Sequence, residues 1–266
     1  MRIATWNVNG IRARLPRLLT WLEQVGPDIC ALQETKCKDD GFPSDEIRAL
    51  GYEFAHHGTG GFNGVALLSR VGLDDVAFGF PGTDDPKMAE ARCVTAIAGG
   101  IRAYSLYIPN GRSLDSDEYP YKLEWLRLLG ETIAAIAEPA EPVVAMGDFN
   151  VALHDSDVWD RAAFNGSTHV TEPERDGVRR LVDWGMTDVT ARISKGDHPF
   201  TYWDYRAGMF HKNMGMRIDY VFATAPVADA ITDAYVDRDA RKGTLPSDHA
   251  PIVVDTSLAA PAPGSG

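Results

Sequence analysis

The stretch Val143-Val144-Ala145-Met146-Gly147-Asp148-Phe149-Asn150 decides the fold class. Four apolar residues are too few for a helix, and they run straight into turn-forming Gly, Asp and Asn. That is the pattern of a buried strand with polar side chains at its end. Just before it, Trp125, Leu128, Leu129, Ile133 and Ile136 recur at helical spacing within 121–137. Just after it, Thr171-Glu172-Pro173-Glu174 fits a capping box with an early proline and opens a helix running to 184. A strand between two helices points to an α/β protein.

The same alternation extends to both ends. Segments 3–8, 29–33, 64–69, 93–98, 102–108, 200–205, 218–223 and 251–256 read as strands. Leu15, Leu18, Leu19 and Leu22 mark an early helix closed by Gly26-Pro27. Strands in both halves imply two sheets, whose packing the pattern alone does not fix. No linker-like stretch divides residues 1–258, which read as a single domain; the Ala-, Pro- and Gly-rich segment 259–266 reads as a disordered tail.

Composition narrows the function. At 266 residues, with 44% hydrophobic and 24% charged residues, the chain suits one large domain with a sizeable core. No run of about 18 apolar residues occurs, so no membrane partner is expected. The first residues enter a strand pattern directly, with no secretory leader. Cys30, Cys37 and Cys93 are odd in number and lack metal-type spacing, which points to a reducing, cytoplasmic compartment. The net charge of −12 argues against tight, non-specific coating of nucleic acid. It leaves room for a local basic face, and for carboxylates gathered around a cation that reverses the local field.

Polar residues recur at strand ends. Asn7 follows Ile3-Ala4-Thr5-Trp6, Glu34 follows Ile29-Cys30-Ala31-Leu32-Gln33, and Asp148 and Asn150 follow the central strand. Asp248 and His249 sit just before Pro251-Ile252-Val253-Val254. Strand ends hold side chains rigidly around a common rim. Carboxylates, amides and one histidine without a cysteine cluster favour Mg²⁺, with Mn²⁺ as a substitute, over structural Zn²⁺. Taken singly, each has a plainer reading. Glu34 could cap a helix, Asp148 and Asn150 could form a turn, Asp219 could pair with Arg217, and Ser247-Asp248-His249 could be a simple turn.

Taken together, the segments Trp6-Asn7-Val8-Asn9-Gly10, Leu32-Gln33-Glu34-Thr35-Lys36, Gly64-Val65-Ala66-Leu67-Leu68, Tyr107-Ile108-Pro109-Asn110, Gly147-Asp148-Phe149-Asn150, Arg217-Ile218-Asp219-Tyr220 and Ser247-Asp248-His249-Ala250-Pro251 closely resemble the exonuclease III and apurinic/apyrimidinic endonuclease family. The motifs occur in the family's order along nearly the whole chain. The Gln33-Glu34-Thr35-Lys36 run and 200–206 look like the DNA-repair branch of the wider endonuclease/exonuclease/phosphatase superfamily.

The resemblance implies a DNase I-like four-layer α/β sandwich, two packed mixed sheets flanked by helices. It implies a Mg²⁺-dependent hydrolase that nicks double-stranded DNA 5′ to abasic sites and trims blocked 3′ ends, acting as a monomer in the bacterial cytoplasm. Other phosphoesters, such as RNA ends or inositol phosphates, and a non-catalytic DNA-binding role are the competing readings. Glu34 would be the principal metal ligand, with Asn7 orienting it and Asp248 auxiliary. Asp148 would align and deprotonate the attacking water, with Asn150 holding that water or a phosphate oxygen. His249, its ring held by Asp219, would contact the scissile phosphate; the reverse assignment makes His249 the base. Tyr107 would donate its hydroxyl to the phosphate, and Asn110 and Arg112 would bind neighbouring phosphates. Tyr202 and Trp203 would wall a pocket for a flipped-out abasic sugar, with core packing the plainer reading for one of the two. Met216 stands where some relatives carry a large aromatic residue, and Asn9 where some animal relatives have Asp.

Overall fold

The computed structural model describes residues 1–83, 85, 87–192 and 200–260. Among these residues twelve strands form, in chain order: β1 Arg2–Asn7, β2 Ile29–Gln33, β3 Glu53–His57, β4 Val65–Ser69, β5 Asp74–Phe78, β6 Cys93–Ala98, β7 Ile101–Tyr107, β8 Val143–Asp148, β9 Met186–Asp188, β10 Asp219–Thr224, β11 Ile231–Val236 and β12 Ile252–Thr256. The helices are α1 Ile11–Val25, α2 Ser44–Ala49, α3 Glu118–Ile136, α4 Glu172–Trp184 and α5 Ala225–Ala228.

The strands divide into two six-stranded sheets, ordered β11-β12-β1-β2-β4-β3 and β5-β6-β7-β8-β10-β9. Both are mixed: β1 pairs parallel with β2 and β7 with β8, among otherwise antiparallel neighbours. The period-two alternation of side chains shows why they stack. In β8, Val144 and Met146 face the other sheet, while Val143 and Ala145 face α3 and α4. In β4, Val65 and Leu67 face inward, while Ala66 and Leu68 meet α1 and α2. Each sheet is therefore apolar on both faces and needs two covers. The result is the expected four-layer order, helix, sheet, sheet, helix.

The caps follow the sequence closely. Gly26 ends α1 in the left-handed conformation (φ 60°), and its N–H returns to the Leu22 carbonyl. Thr171 and Glu174 form both halves of the capping box on α4. Cys30, Cys37 and Cys93 are free and buried. No helix among the described residues is long and apolar enough to cross a membrane.

One expected element differs. Residues 200–205 do not form a strand. The segment instead bonds to two separate loops: Tyr202 pairs on one side with Met216 and on the other with His249, and Ala250 N–H donates to Thr201 O at 2.7 Å. Its backbone groups clamp the start of β10 to the start of β12, so no ladder can continue through it. Of the expected tail, 261–266 lies outside the described residues, and Ala259 and Ala260 carry no regular structure.

Candidate active site

The register of the sheets explains why distant residues meet. Asp148 lies opposite Asp219 on β10 and opposite Tyr107 on β7, so three side chains share one row of the second sheet. In the first sheet, β1 and β2 end together at Asn7 and Gln33, and antiparallel β12 begins beside them. The two rims coincide. Gly147 makes the second rim possible: a Cβ there, at φ 146°, would lie 2.0 Å from the Leu106 carbonyl oxygen.

A cleft of about 220 Å³ opens at this rim. Eight of the expected residues line it: Glu34, Tyr107, Asn110, Asp148, Asn150, Tyr202, Asp248 and His249. Asn7 and Asp219 lie immediately behind. The Asn7 side-chain N–H₂ donates to Glu34 Oε1 at 2.8 Å and to Asp148 Oδ2 at 2.9 Å, joining one sheet to the other. His249 Nδ1 lies 2.8 Å from Asp219 Oδ2, and its Nε2 lies 3.7 Å from Asp148 Oδ2. The turn holding His249 is fixed from below. Ser247 Oγ donates to Asn7 O and accepts from His249 N, and Trp6 Nε1 donates to His249 O.

Backbone strain concentrates here. Asn9, Glu34, Lys36, Arg112 and Asn150 all take left-handed φ values between 45° and 52°. Gly64 is required nearby, since a Cβ at φ 112° would meet Thr35 Oγ1 at 2.1 Å. Asn150 is held by its N–H to Asp148 Oδ1 (2.9 Å) and its side-chain N–H to Ile108 O (3.0 Å). Its Oδ1 faces the amide of Asn110 at 3.1 Å.

The electrostatics are unbalanced. Burial acts most strongly on Asp148 and raises its carboxyl; the charge of His249 opposes this, while Asp219 and Glu34 add to it, and the net result lies well above the usual carboxylate range. Burial disfavours the charge on His249, but the carboxylates of Asp219 and Asp148 outweigh it and keep the ring an imidazolium at neutral pH. Burial would raise Glu34, yet Lys36 and the bonds from Asn7 and Lys36 hold it low. Tyr107 is raised well above its ordinary value by burial and then by Glu34 and Asp148, so its hydroxyl stays a donor.

Glu34, Asp148 and His249 bring one ligand-type atom each within 4.8 Å of one another. With the imidazolium charged, the oxygens of Glu34 and Asp148 are the atoms of this cluster that would hold a cation, with Asp248 lining the same cleft. A buried Asp148 carboxylate raised in part by its neighbours Asp219 and Glu34 fits a hard divalent cation, which would relieve that repulsion.

Comparison with known proteins agrees with this geometry. A sequence profile of the endonuclease/exonuclease/phosphatase family matches residues 4–249. The chain belongs to that family. Within it, the chain falls in the exonuclease III and AP endonuclease branch: it is 31% identical to exodeoxyribonuclease III of Haemophilus influenzae, over 95% of this chain and 98% of that one. An AP endonuclease from Archaeoglobus fulgidus superposes with a TM-score of 0.92 at 34% identity, covering 97% of this chain and all 100% of the other. A 3′ phosphatase from Neisseria, solved bound to a product DNA hairpin, gives 0.91 at 34% identity, with coverage of 97% and 100%.

One sequence-derived assignment needs adjustment, and two further residues lie outside the cleft lining. Trp203 does not wall the cleft. It is fully buried in a small core with Phe200, Phe210 and Ala250, on the opposite side of the 200–204 clamp from Tyr202. Arg112 is exposed beside Asn110 and lies outside the cleft lining. Arg217 does not pair with Asp219; it donates two buried hydrogen bonds to Asp157 and reaches Asp188 at 2.7 Å. Residues that the sequence left without a role also appear. Lys36 Nζ lies 2.7 Å from Glu34 Oε2, and its place two residues after Glu34 was the available signal. His169 lines the cleft 3.2 Å from Asn150 Oδ1, in an irregular segment that gave no signal.

Proposed function

We propose that the protein is a Mg²⁺-dependent DNA-repair phosphodiesterase that cleaves duplex DNA 5′ to abasic sites and removes blocked 3′ ends. The observation that carries this reading is the continuous chain Asp219–His249–Asp148–Asn7–Glu34 across the shared rim of two sheets. Its support comes from relatives named for exodeoxyribonuclease III, AP endonuclease and 3′ phosphatase activities.

Asp148, raised by its surroundings, is suited to take a proton from water as that water attacks phosphorus. The His249 imidazolium faces the phosphate and stabilises the added negative charge, while Asp219 keeps it charged and oriented. Tyr107 donates a hydrogen bond to a phosphate oxygen, and the Asn150 and Asn110 amides hold the flanking oxygens. A Mg²⁺ ion on Glu34, with Asp148 and Asp248 in reach, would supply further positive charge at the phosphate. At about 220 Å³ the cleft is below the ~300 Å³ floor of ordinary ligand pockets. It suits a phosphate and sugar, with the rest of the polymer outside. Tyr202, with its ring 4.9 Å from that of His249, Met216 and Ile218 form the apolar side that would meet the sugar.

Net charge is no obstacle under this reading. Arg14 bonds Tyr205 at the rim, Lys36 bonds Glu34, and Arg112 and Arg206 stand exposed beside Asn110 and Asp204. A duplex can meet this local ring of cations on an acidic protein. We further infer one catalytic unit over residues 1–258, monomeric and cytoplasmic.

The test is a panel of labelled duplexes: one with a stable abasic-site analogue, one with a 3′-phosphate, one undamaged, each with Mg²⁺ or EDTA. Mg²⁺-dependent nicking 5′ to the analogue, or release of the 3′ block, is expected. Absence of both rejects the reading.

A further inference from the structure

Under the floor of the cleft, Lys122 of α3 and Glu174 of α4 form an ion pair in which neither side chain has any exposure, with Nζ 2.5 Å from Oε1. An ammonium has three hydrogens. Besides Glu174, Lys122 Nζ donates to Asn150 O at 2.6 Å and to Asn110 O at 3.3 Å. Glu174 in turn accepts from the main-chain N–H of His169 at 2.9 Å and from Thr171. One buried pair therefore fixes the backbone of three cleft residues, Asn110, Asn150 and His169.

Two of these need such a hold. Asn150 sits at φ 51° and His169 at φ 78°, a region that residues with side chains rarely adopt. The lysine stem also runs close beneath Gly111, where an added Cβ would lie 3.1 Å from Lys122 Cδ. Stability does not account for the pair. Desolvating two charges offsets their attraction, and apolar replacements for a whole buried pair are often neutral or stabilising. An ion pair at this depth, with its other ammonium hydrogens directed at the Asn110 and Asn150 carbonyls, is explained by what it positions.

We propose that Lys122 and Glu174 are positioning residues for the reaction. They set the backbone of Asn150, whose N–H fixes the Asp148 carboxylate at 2.9 Å, and they set Asn110 and His169 beside it. The cleft side chains act; the pair determines where they stand. The inference rests on the cleft being the hydrolytic site.

The decisive variant is Lys122→Met/Glu174→Gln, which removes both charges yet keeps the acceptor that caps α4. Its control is Leu129→Ala, a core truncation on α3 outside the cleft. Both are assayed on a 3′-phosphate duplex and on a small chromogenic phosphodiester. We expect kcat of the double variant to fall on the order of 10-fold or more on both substrates with KM little changed. Leu129→Ala, even with a lower melting temperature, should keep parental kcat. Parental kcat in the double variant, or an equal loss in the control at matched melting temperature, overturns the proposal. If the double variant melts far below the parent, Lys122→Met and Glu174→Gln are read singly against the same control, with the same criterion. A parent active on the small diester but not on DNA rejects the DNA reading and leaves this comparison intact. A parent inactive on both rejects both.

Discussion

His249 and Asp219 form a buried pair, Nδ1 to Oδ2 at 2.8 Å, at the junction of two loops that the 200–204 segment clamps together. Among the described residues Asp219 Oδ1 has no hydrogen-bond partner, so the hydrogen bonding of the carboxylate is directed through Oδ2 to the histidine. Removing the ring in His249→Ala should lower kcat on a 3′-phosphate duplex by on the order of 10²-fold or more. Asp219→Asn should lose nearly as much, because burial then favours the neutral ring. The double variant should cost little more than either alone, as residues acting as a unit do. Single-turnover rates would check this, and additive losses would separate the two roles.

Metal binding can be read without activity. Mg²⁺ that binds only the folded protein should raise the melting temperature, by an amount corresponding to about 2.7 kcal/mol at a hundredfold excess over Kd. Glu34→Ala should abolish the shift, and Asp248→Asn should weaken it. A full shift in Glu34→Ala would remove that residue as the anchor.

Tyr202 and Trp203 are adjacent but point to opposite sides of their segment. Tyr202→Ala should reduce cleavage at an abasic analogue with little change in stability. Trp203→Ala empties a fully buried site and should destabilise by about 3–5 kcal/mol. Urea unfolding alongside kinetics distinguishes them, and the reverse pattern would contradict the geometry.

Stability should also depend on His56. Its ring is 2% exposed and stacks on Phe42 at 4.3 Å. Burial lowers it from 6.5 to about 4, against the pull of Asp39. Below pH 6.5 the unfolded chain takes a proton there that the folded chain accepts only near pH 4. The contribution is intact above pH 6.5 and is lost as pH falls, at no more than about 1.4 kcal/mol per pH unit. A His56→Gln variant should therefore lose stability less steeply between pH 6.5 and 4. Parallel pH profiles would show that His56 is not the cause.

Most of this was legible in the sequence, and what was not shares a cause. The strands missed by pattern, β3, β5, β9 and β11, are the four edges of the two sheets. An edge is covered on fewer sides, so it needs no apolar run; every residue of β5 is exposed. The central strands, buried on both faces, announced themselves as continuous apolar segments. The cleft was legible at strand ends, where Asn7, Glu34, Asp148 and His249 are fixed by register. It was illegible at His169 and Lys122. One lies in irregular chain and the other looks like any helix lysine, and their roles depend on contacts such as Lys122–Asn150 and Asn110–His169, 28 and 59 positions apart.

Asn7 gives one amide hydrogen to each sheet, through Glu34 and Asp148, at 2.8 and 2.9 Å. Hydrogen bonds of that kind fail when donor and acceptor separate by half an ångström or so. The reaction centre is thus a gauge of sliding between the two halves of the sandwich. On warming, catalytic competence should vanish while the sheets are still whole.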